Sequence, residues 1–179
     1  MKYVALLRGI NVGGNNIIKM VDLKACIEKC GCTDVQTYIQ SGNVILESSE
    51  ENSEKLTKKI EEALSKNFSY TALVVLKTEI QMKEIVAEVP NDWLTRSDIK
   101  CNVAFLKEPL TPRAAVSEIE VRDGVDQKCA GPEVVYMTTL IEKASQSALN
   151  KLNAKKISKQ MTIRNFNTTQ KIYALMHVS

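Results

Sequence analysis

The chain reads as an α+β protein of two lobes, the first in the β-α-β-β-α-β order of a ferredoxin-like sandwich. Three observations predict this. Tyr3–Leu7 and Thr71–Leu76 are short, unbroken apolar runs, the character of central strands. Val35, Thr37 and Ile39 alternate with polar residues, and Ser41-Gly42-Asn43 turns the chain into Val44–Glu47, which together read as a hairpin. Met20, Leu23, Ile27 and Cys30, and later Leu56, Ile60, Ala63 and Leu64, recur at helical spacing.

Each element has its local reason. Gly31 closes the first helix, because glycine accepts the left-handed conformation a helix end requires. A polar stretch, Ser48–Ser53, leads into the second helix, whose Glu54, Lys58, Glu61 and Glu62 face solvent. The first lobe spans residues 1–77 and the second 78–179, with one compact domain as the alternative. Thr78 and Gln81 form a capping box for a helix that stops before Pro90. Asn91–Asp98 is an irregular crossing that holds the single tryptophan, Trp93.

Cys101, Val103 and Phe105 alternate as a strand, and Thr111-Pro112 places an N-cap before a proline at the first helical position. Val121–Val125 and Glu133–Met137 read as a strand pair joined through Gly131-Pro132, followed by a helix over Ser145–Leu152. The tail ends in a helix bearing Ile172, Leu175 and Met176, capped by Asn165 or Asn167. The second lobe is thus a related strand and helix arrangement plus a C-terminal helix, with no residue-level repeat.

Composition narrows the function classes. At 179 residues, 44% hydrophobic and 25% charged, the chain has the make-up of a globular protein. No run approaches the roughly 18 apolar residues of a membrane span, and the N-terminus enters a strand without a signal peptide's pattern. The expected compartment is the cytoplasm. Five cysteines, Cys26, Cys30, Cys32, Cys101 and Cys129, fit reduced thiols, and Cys26 and Cys30 fall on the apolar side of the first helix. No Cys-x-x-Cys pair occurs and the one histidine is His177, so neither a zinc site nor a histidine-based catalytic triad is expected. No cofactor is implied.

Charge is uneven. Beyond Glu142 there are seven cationic residues and no acidic one, which leaves −4 on the first 142 residues of a chain whose net charge is +3. That asymmetry suits a polyanionic partner, and equally a solvated basic face.

The stretch Arg8 to Met20 holds three glycines and three asparagines between a strand and a helix. Gly and Asn accept positive φ, so such a junction can aim several N–H groups at an anion beside a helix N-terminus. It is neither a P-loop nor a dinucleotide fingerprint, and a tight loop held by Asx-turns is the competing interpretation. The candidate ligand-binding residues are Arg8, Asn11, Gly13, Gly14, Asn15, Lys19, Ser41, Asn43, Arg164 and Asn165, expected to line one anion pocket.

Two blocks carry a resemblance. Leu7-Arg8-Gly9-Ile10-Asn11-Val12-Gly13-Gly14, followed by Thr37-Tyr38-Ile39-Gln40-Ser41-Gly42-Asn43-Val44, resembles a bacterial family known as domain of unknown function 1697. The tail Thr162-Ile163-Arg164-Asn165-Phe166-Asn167-Thr168 is similar to that family's closing motif, in which the aromatic is usually tryptophan. Around Tyr136 to Lys143 the chain lacks the family's Gly-rich turn and Ser-Lys pair. The resemblance implies a small cytoplasmic α+β protein and brings no activity, catalytic residue or cofactor.

The function expected from these features is binding of a phosphate-bearing ligand, a nucleotide or nucleic acid, through the Arg8–Lys19 loop and the basic C-terminal segment. The alternatives are an enzyme acting on a small anionic metabolite between lobes, and a protein–protein module whose loop is structural. Only Tyr38 offers a stacking aromatic on the first sheet, so strand order alone does not make an RNA-recognition domain.

Overall fold

A computed structural model describes residues 1–177. The chain divides into two compact units, Met1–Met82 together with the segment from Ile172, and Lys83–Lys171. In the first, β1 (Lys2–Leu7), β2 (Thr33–Tyr38), β3 (Asn43–Glu47) and β4 (Val74–Thr78) form an antiparallel sheet in the order β2-β3-β1-β4. Helices α1 (Met20–Glu28) and α2 (Ser53–Phe68) follow β1 and β3. Tyr3, Ala5 and Leu7 of β1 share a core with Val44 and Leu46, with Leu23 and Ile27 of α1, and with Leu56, Ile60 and Leu64 of α2. The helical spacing of those apolar residues is what puts them on one face. Cys26, Cys30 and Cys32 lie buried in the same core as small hydrophobes. Asn52 caps α2 by accepting from Lys55 N at 2.9 Å, and Gly31 follows α1 at φ +81°.

Lys2 Nζ donates to Met176 O at 2.9 Å, in the part of the C-terminal helix grouped with this unit. The Thr78–Gln81 capping box opens α3 (Glu79–Ala87) with reciprocal bonds of 2.8 and 3.2 Å.

The second unit repeats the strand order. A short helix, α4 (Asn91–Leu94), buries Trp93, and β5 (Ile99–Leu106), β6 (Asp126–Ala130), β7 (Val134–Leu140) and β8 (Met161–Asn165) form an antiparallel sheet ordered β6-β7-β5-β8. Helix α5 (Pro112–Glu118) starts as its sequence requires, with Thr111 accepting from Ala114 N and Pro112 in the first turn. Lys128 Nζ, from β6, donates to the carbonyls of Val116 and Ile119 at its far end. The last helix is α6 (Phe166–His177).

Two expectations for this unit need correction, and one strand was not anticipated. The strand expected over Val121–Val125 lies at Asp126–Ala130, because Val125 N and Asp126 N both donate to Arg122 O and close a turn there. Ser145–Leu152 is not one α-helix. Instead, 3₁₀ turns run over Ile141–Gln146, Ala148–Ala154 and Lys156–Gln160, broken where Ser147 and Lys155 adopt extended backbone. The tail segment at Met161–Asn165 is a strand, hidden in the sequence by its polar Thr162 and Arg164, both of which are buried.

One buried carboxylate ties this region together. Asp126 Oδ1 accepts from Thr139 Oγ1 at 2.8 Å and Ser147 Oγ at 2.6 Å. Its Oδ2 accepts from Ala148 N at 2.9 Å and Arg122 N at 3.1 Å. Strand β6, strand β7 and the 3₁₀ stretch are therefore pinned to one side chain. Burial by itself raises this carboxyl's pKa, but the Ser147, Arg122, Thr139 and Ala148 donors outweigh it and hold the group below the usual carboxylate range.

Candidate functional site

The glycine and asparagine loop is a small projecting hairpin. Gly13 (φ +59°) and Gly14 (φ +78°) occupy the centre of a turn in which Asn15 N donates to Val12 O at 3.1 Å. Positive φ at both central positions is the requirement of the tight turns that join twisted strands, and glycine meets it without strain. Asn11 N donates to Asn16 O and extends the hairpin by one pair. Both flanking asparagines sit at positive φ and use their side chains as staples. Asn16 Nδ2 donates to Gly9 O at 2.8 Å. Asn11 Oδ1 accepts from Ile18 N at 2.8 Å, while its Nδ2 donates to Ile18 O and to Gln40 O.

The last of these bonds joins the loop to the β2–β3 turn, and a second contact reinforces it. Leu7 N donates to Gly42 O at 2.8 Å. Asn43, wholly buried, donates to Tyr38 O and Ser41 Oγ at 3.0 Å each and so holds the turn's shape. The loop and the Ser41-Gly42-Asn43 turn therefore lie at one edge of the first unit. Arg8 leaves β1 there, its backbone N–H held by Leu73 O at 2.9 Å. Lys19 stands at the N-cap of α1, and no side chain caps that helix start.

The candidate residues thus separate by role. The Asn11 amide is committed to the backbone, and that of Asn43 to Tyr38 O and the Ser41 hydroxyl. Gly13, Gly14, Asn15 and Lys19 are exposed at the tip and at the start of the helix, and Arg8 and Ser41 are half-buried beneath.

Arg164 and Asn165 belong to the second unit. Arg164, on β8 opposite Val103 of β5, is 8% exposed, and its Nη1 donates to Thr162 Oγ1 at 2.8 Å and Ile163 O at 2.9 Å. Burial pushes its pKa down to about 10, so the guanidinium remains cationic at neutral pH. Asn165 spans β5 and α6: its Nδ2 donates to Cys101 O, and its Oδ1 caps the last helix by accepting from Asn167 N at 2.9 Å.

The model of a family described as "Protein of unknown function (DUF1697)" matches residues 1–136. The chain belongs to that family. The matched region contains the hairpin loop and the Ser41–Asn43 turn, and the closing motif on β8 lies beyond it. Among solved structures the chain is similar to the conserved bacterial protein SP0830 from Streptococcus pneumoniae, at 26% identity and a TM-score of 0.83, with 98% of each chain covered. No match is found among curated proteins.

Other features of the DUF1697 chain were not anticipated. Val12, Ile17, Val21 and Ile39 are large hydrophobic residues left exposed around the loop. Val12 and Ile17 sit in and beside a turn, where periodicity is silent; Val21 falls off the Met20, Leu23 and Ile27 stripe; and Ile39, expected to alternate with Val35 in the strand, lies past the end of β2 at φ +50°. A cavity of about 320 Å³ in the first unit is lined by Cys30, Ser48, Glu50, Lys55 and Lys59. Another of about 230 Å³ in the second unit lies beside Arg96, Asp123, Asp126 and Thr138. Burial raises the thiols of Cys26 and Cys30 and takes Cys32 to about 11, so these cysteines stay protonated and make poor nucleophiles. Among the described residues no helix is long and apolar enough to cross a membrane.

Proposed function

We propose that this protein binds a phosphate-bearing ligand at the loop edge of its first unit. The observation that carries this reading is the open start of α1, with Lys19 at its N-cap, beside the exposed Gly13-Gly14 tip. Neither glycine's N–H is engaged by another described residue. An uncapped helix start presents several N–H groups and a partial positive charge. Arg8 at the end of β1 adds a planar fork suited to phosphate, and Ser41 a hydroxyl. Asn11 and Asn43 act beneath them as the braces that keep the edge preorganised. We read the unit as ferredoxin-like, on the support of its β2-β3-β1-β4 order.

For a nucleic acid ligand, the basic stretch of the second unit supplies a separate contact. Lys151, Lys156 and Lys159 are exposed and have no ion-pair partner among the described residues, whereas Lys155 is paired with Glu120 at 2.7 Å. Thermal-shift titration with pyrophosphate, ADP and a thymidine oligonucleotide tests the reading. Stabilisation grows with ligand concentration above the dissociation constant. Arg8→Ala and Lys19→Ala are each expected to abolish it, Lys19→Ala with the unliganded Tm unchanged. No stabilisation by any of the three at millimolar concentration would sink the proposal.

A further inference from the structure

We infer that the anion recognised at the loop edge is carried by a short, acidic and aliphatic peptide segment of a partner protein. This rests on the anion-binding reading above and names its carrier. The loop edge exposes four aliphatic side chains: Val12 at 61%, Ile17 at 78%, Val21 at 76% and Ile39 at 49%. They lie on neighbouring segments of that edge. Val12 lies within the stapled Asn11–Asn16 hairpin, Ile17 directly follows it, Val21 lies in the first turn of α1, and the Asn11 Nδ2 to Gln40 O bond places the turn holding Ile39 against the loop.

Their exposed area is on the order of 400 Å², the size of the largest apolar patch on a typical monomer. It is about half the roughly 800 Å² that each side of a standard protein–protein interface buries. A second copy of the chain is therefore undersupplied with contact, whereas a segment of a few residues is matched.

Charge selects the segment's chemistry. Lys19 stands between Ile17 and Val21 and forms no ion pair among the described residues. It is exposed at the start of α1, so its charge faces whatever covers Ile17 and Val21. Two copies meeting face to face would bring Lys19 toward Lys19, but a peptide carboxylate or phosphorylated side chain would complement it. Nucleic acid fits less well, because bases stack on aromatic or guanidinium planes and the exposed surface is aliphatic. Preorganisation adds to this: the glycine turn and asparagine staples fix the loop backbone that carries Val12 and Ile17 before any partner arrives, so little ordering remains to be done there on binding.

The test is selection of random dodecamer peptides by display on the full chain. The Ile17→Ser/Val21→Ser double variant is the counter-target, its fold checked by circular dichroism. Enriched peptides are expected to carry at least two aliphatic residues and an Asp or Glu. They should bind the double variant at least tenfold more weakly, lose several-fold with Lys19→Ala, and be competed by pyrophosphate. Absence of enrichment overturns the inference, as do peptides that bind the double variant equally. A wild-type dimer in sedimentation that the double variant loses also overturns it and assigns the surface to a second copy. Pyrophosphate binding without peptide enrichment leaves the anion site and removes only its peptide partner. Peptides indifferent to Lys19→Ala and to pyrophosphate remove both.

Discussion

Replacing Asp126 by Asn separates a carboxylate's contribution from that of its shape. The amide keeps one oxygen, which can still accept from Thr139 and Ser147. Its nitrogen then faces Ala148 N and Arg122 N, two donors that had been accepted. Leaving a buried donor unsatisfied costs about 1–3 kcal/mol, so two partly buried N–H groups place the loss at about 2–4 kcal/mol. Thr139→Val, which removes one donor and leaves the carboxylate three, should cost about 1 kcal/mol. Urea unfolding followed by the fluorescence of Trp93, the single tryptophan and a buried residue of the same unit, reads these values.

The pH dependence has a definite sign. The folded carboxyl titrates below its unfolded value of about 3.9. Its contribution is therefore complete above that value and is lost as pH falls through the folded pKa. The gap between wild type and Asp126→Asn should be full at pH 7 and close below about pH 4. A gap under about 0.5 kcal/mol, or one unchanged between pH 7 and pH 3, refutes the idea that a charged anchor holds β6, β7 and the 3₁₀ stretch together.

Three further perturbations test other parts of the molecule. Gly42→Ala places a Cβ 2.8 Å from Leu7 Cβ and 2.9 Å from Ile10 Cδ1 at φ +75°, so strain and overpacking together should cost about 2–4 kcal/mol in chemical denaturation; a neutral substitution would mean the turn moves freely off β1. Asn11→Ala removes bonds to Ile18 and Gln40, and should lower the hydrogen-exchange protection of the Ile18 amide by at least tenfold while α2 amides keep theirs. If the basic stretch meets nucleic acid, Lys155, Lys156 and Lys159 changed together to Ala should reduce the slope of log affinity against log salt by about 2–3 for every sequence tried; an unchanged slope removes that contact.

Much of the architecture was legible because period and punctuation agree. Tyr3–Leu7, the helical stripe from Met20 to Ile27 and the Thr78–Gln81 and Thr111-Pro112 caps each state a local preference that tertiary packing reinforces. The misplacements share a cause. β6 and β8 carry polar residues, and their positions are fixed by partners distant in sequence: Asp126 by Ser147 and Ala148, and Arg164 by its pairing opposite Val103. No window of local sequence contains that information. At the candidate site the loop and the Ser41–Asn43 turn meet at one edge, since both leave the same end of adjacent strands. What the residue types concealed was their division of labour. Asparagine serves a ligand or its own backbone with the same atoms, and only the 2.8 Å contact from Ile18 N to Asn11 shows which it does here.

The shared strand order sets a timetable for folding. In each sheet the earliest strand, β1 or β5, is interior and is flanked by strands made later. Tyr3 pairs with Leu46 and Thr78, and Val103 with Tyr136 and Arg164, so neither can be clamped on both sides until the unit's last strand exists. The pairings cheap in loop entropy are β2 with β3, where Tyr38 meets Asn43, and β6 with β7, where Ala130 meets Val135. Each unit should therefore start from its middle hairpin, recruit its first strand backward across that edge, and lock when its last strand arrives, making its rate sensitive to those hairpin turns and insensitive to the order in which the strands leave the ribosome.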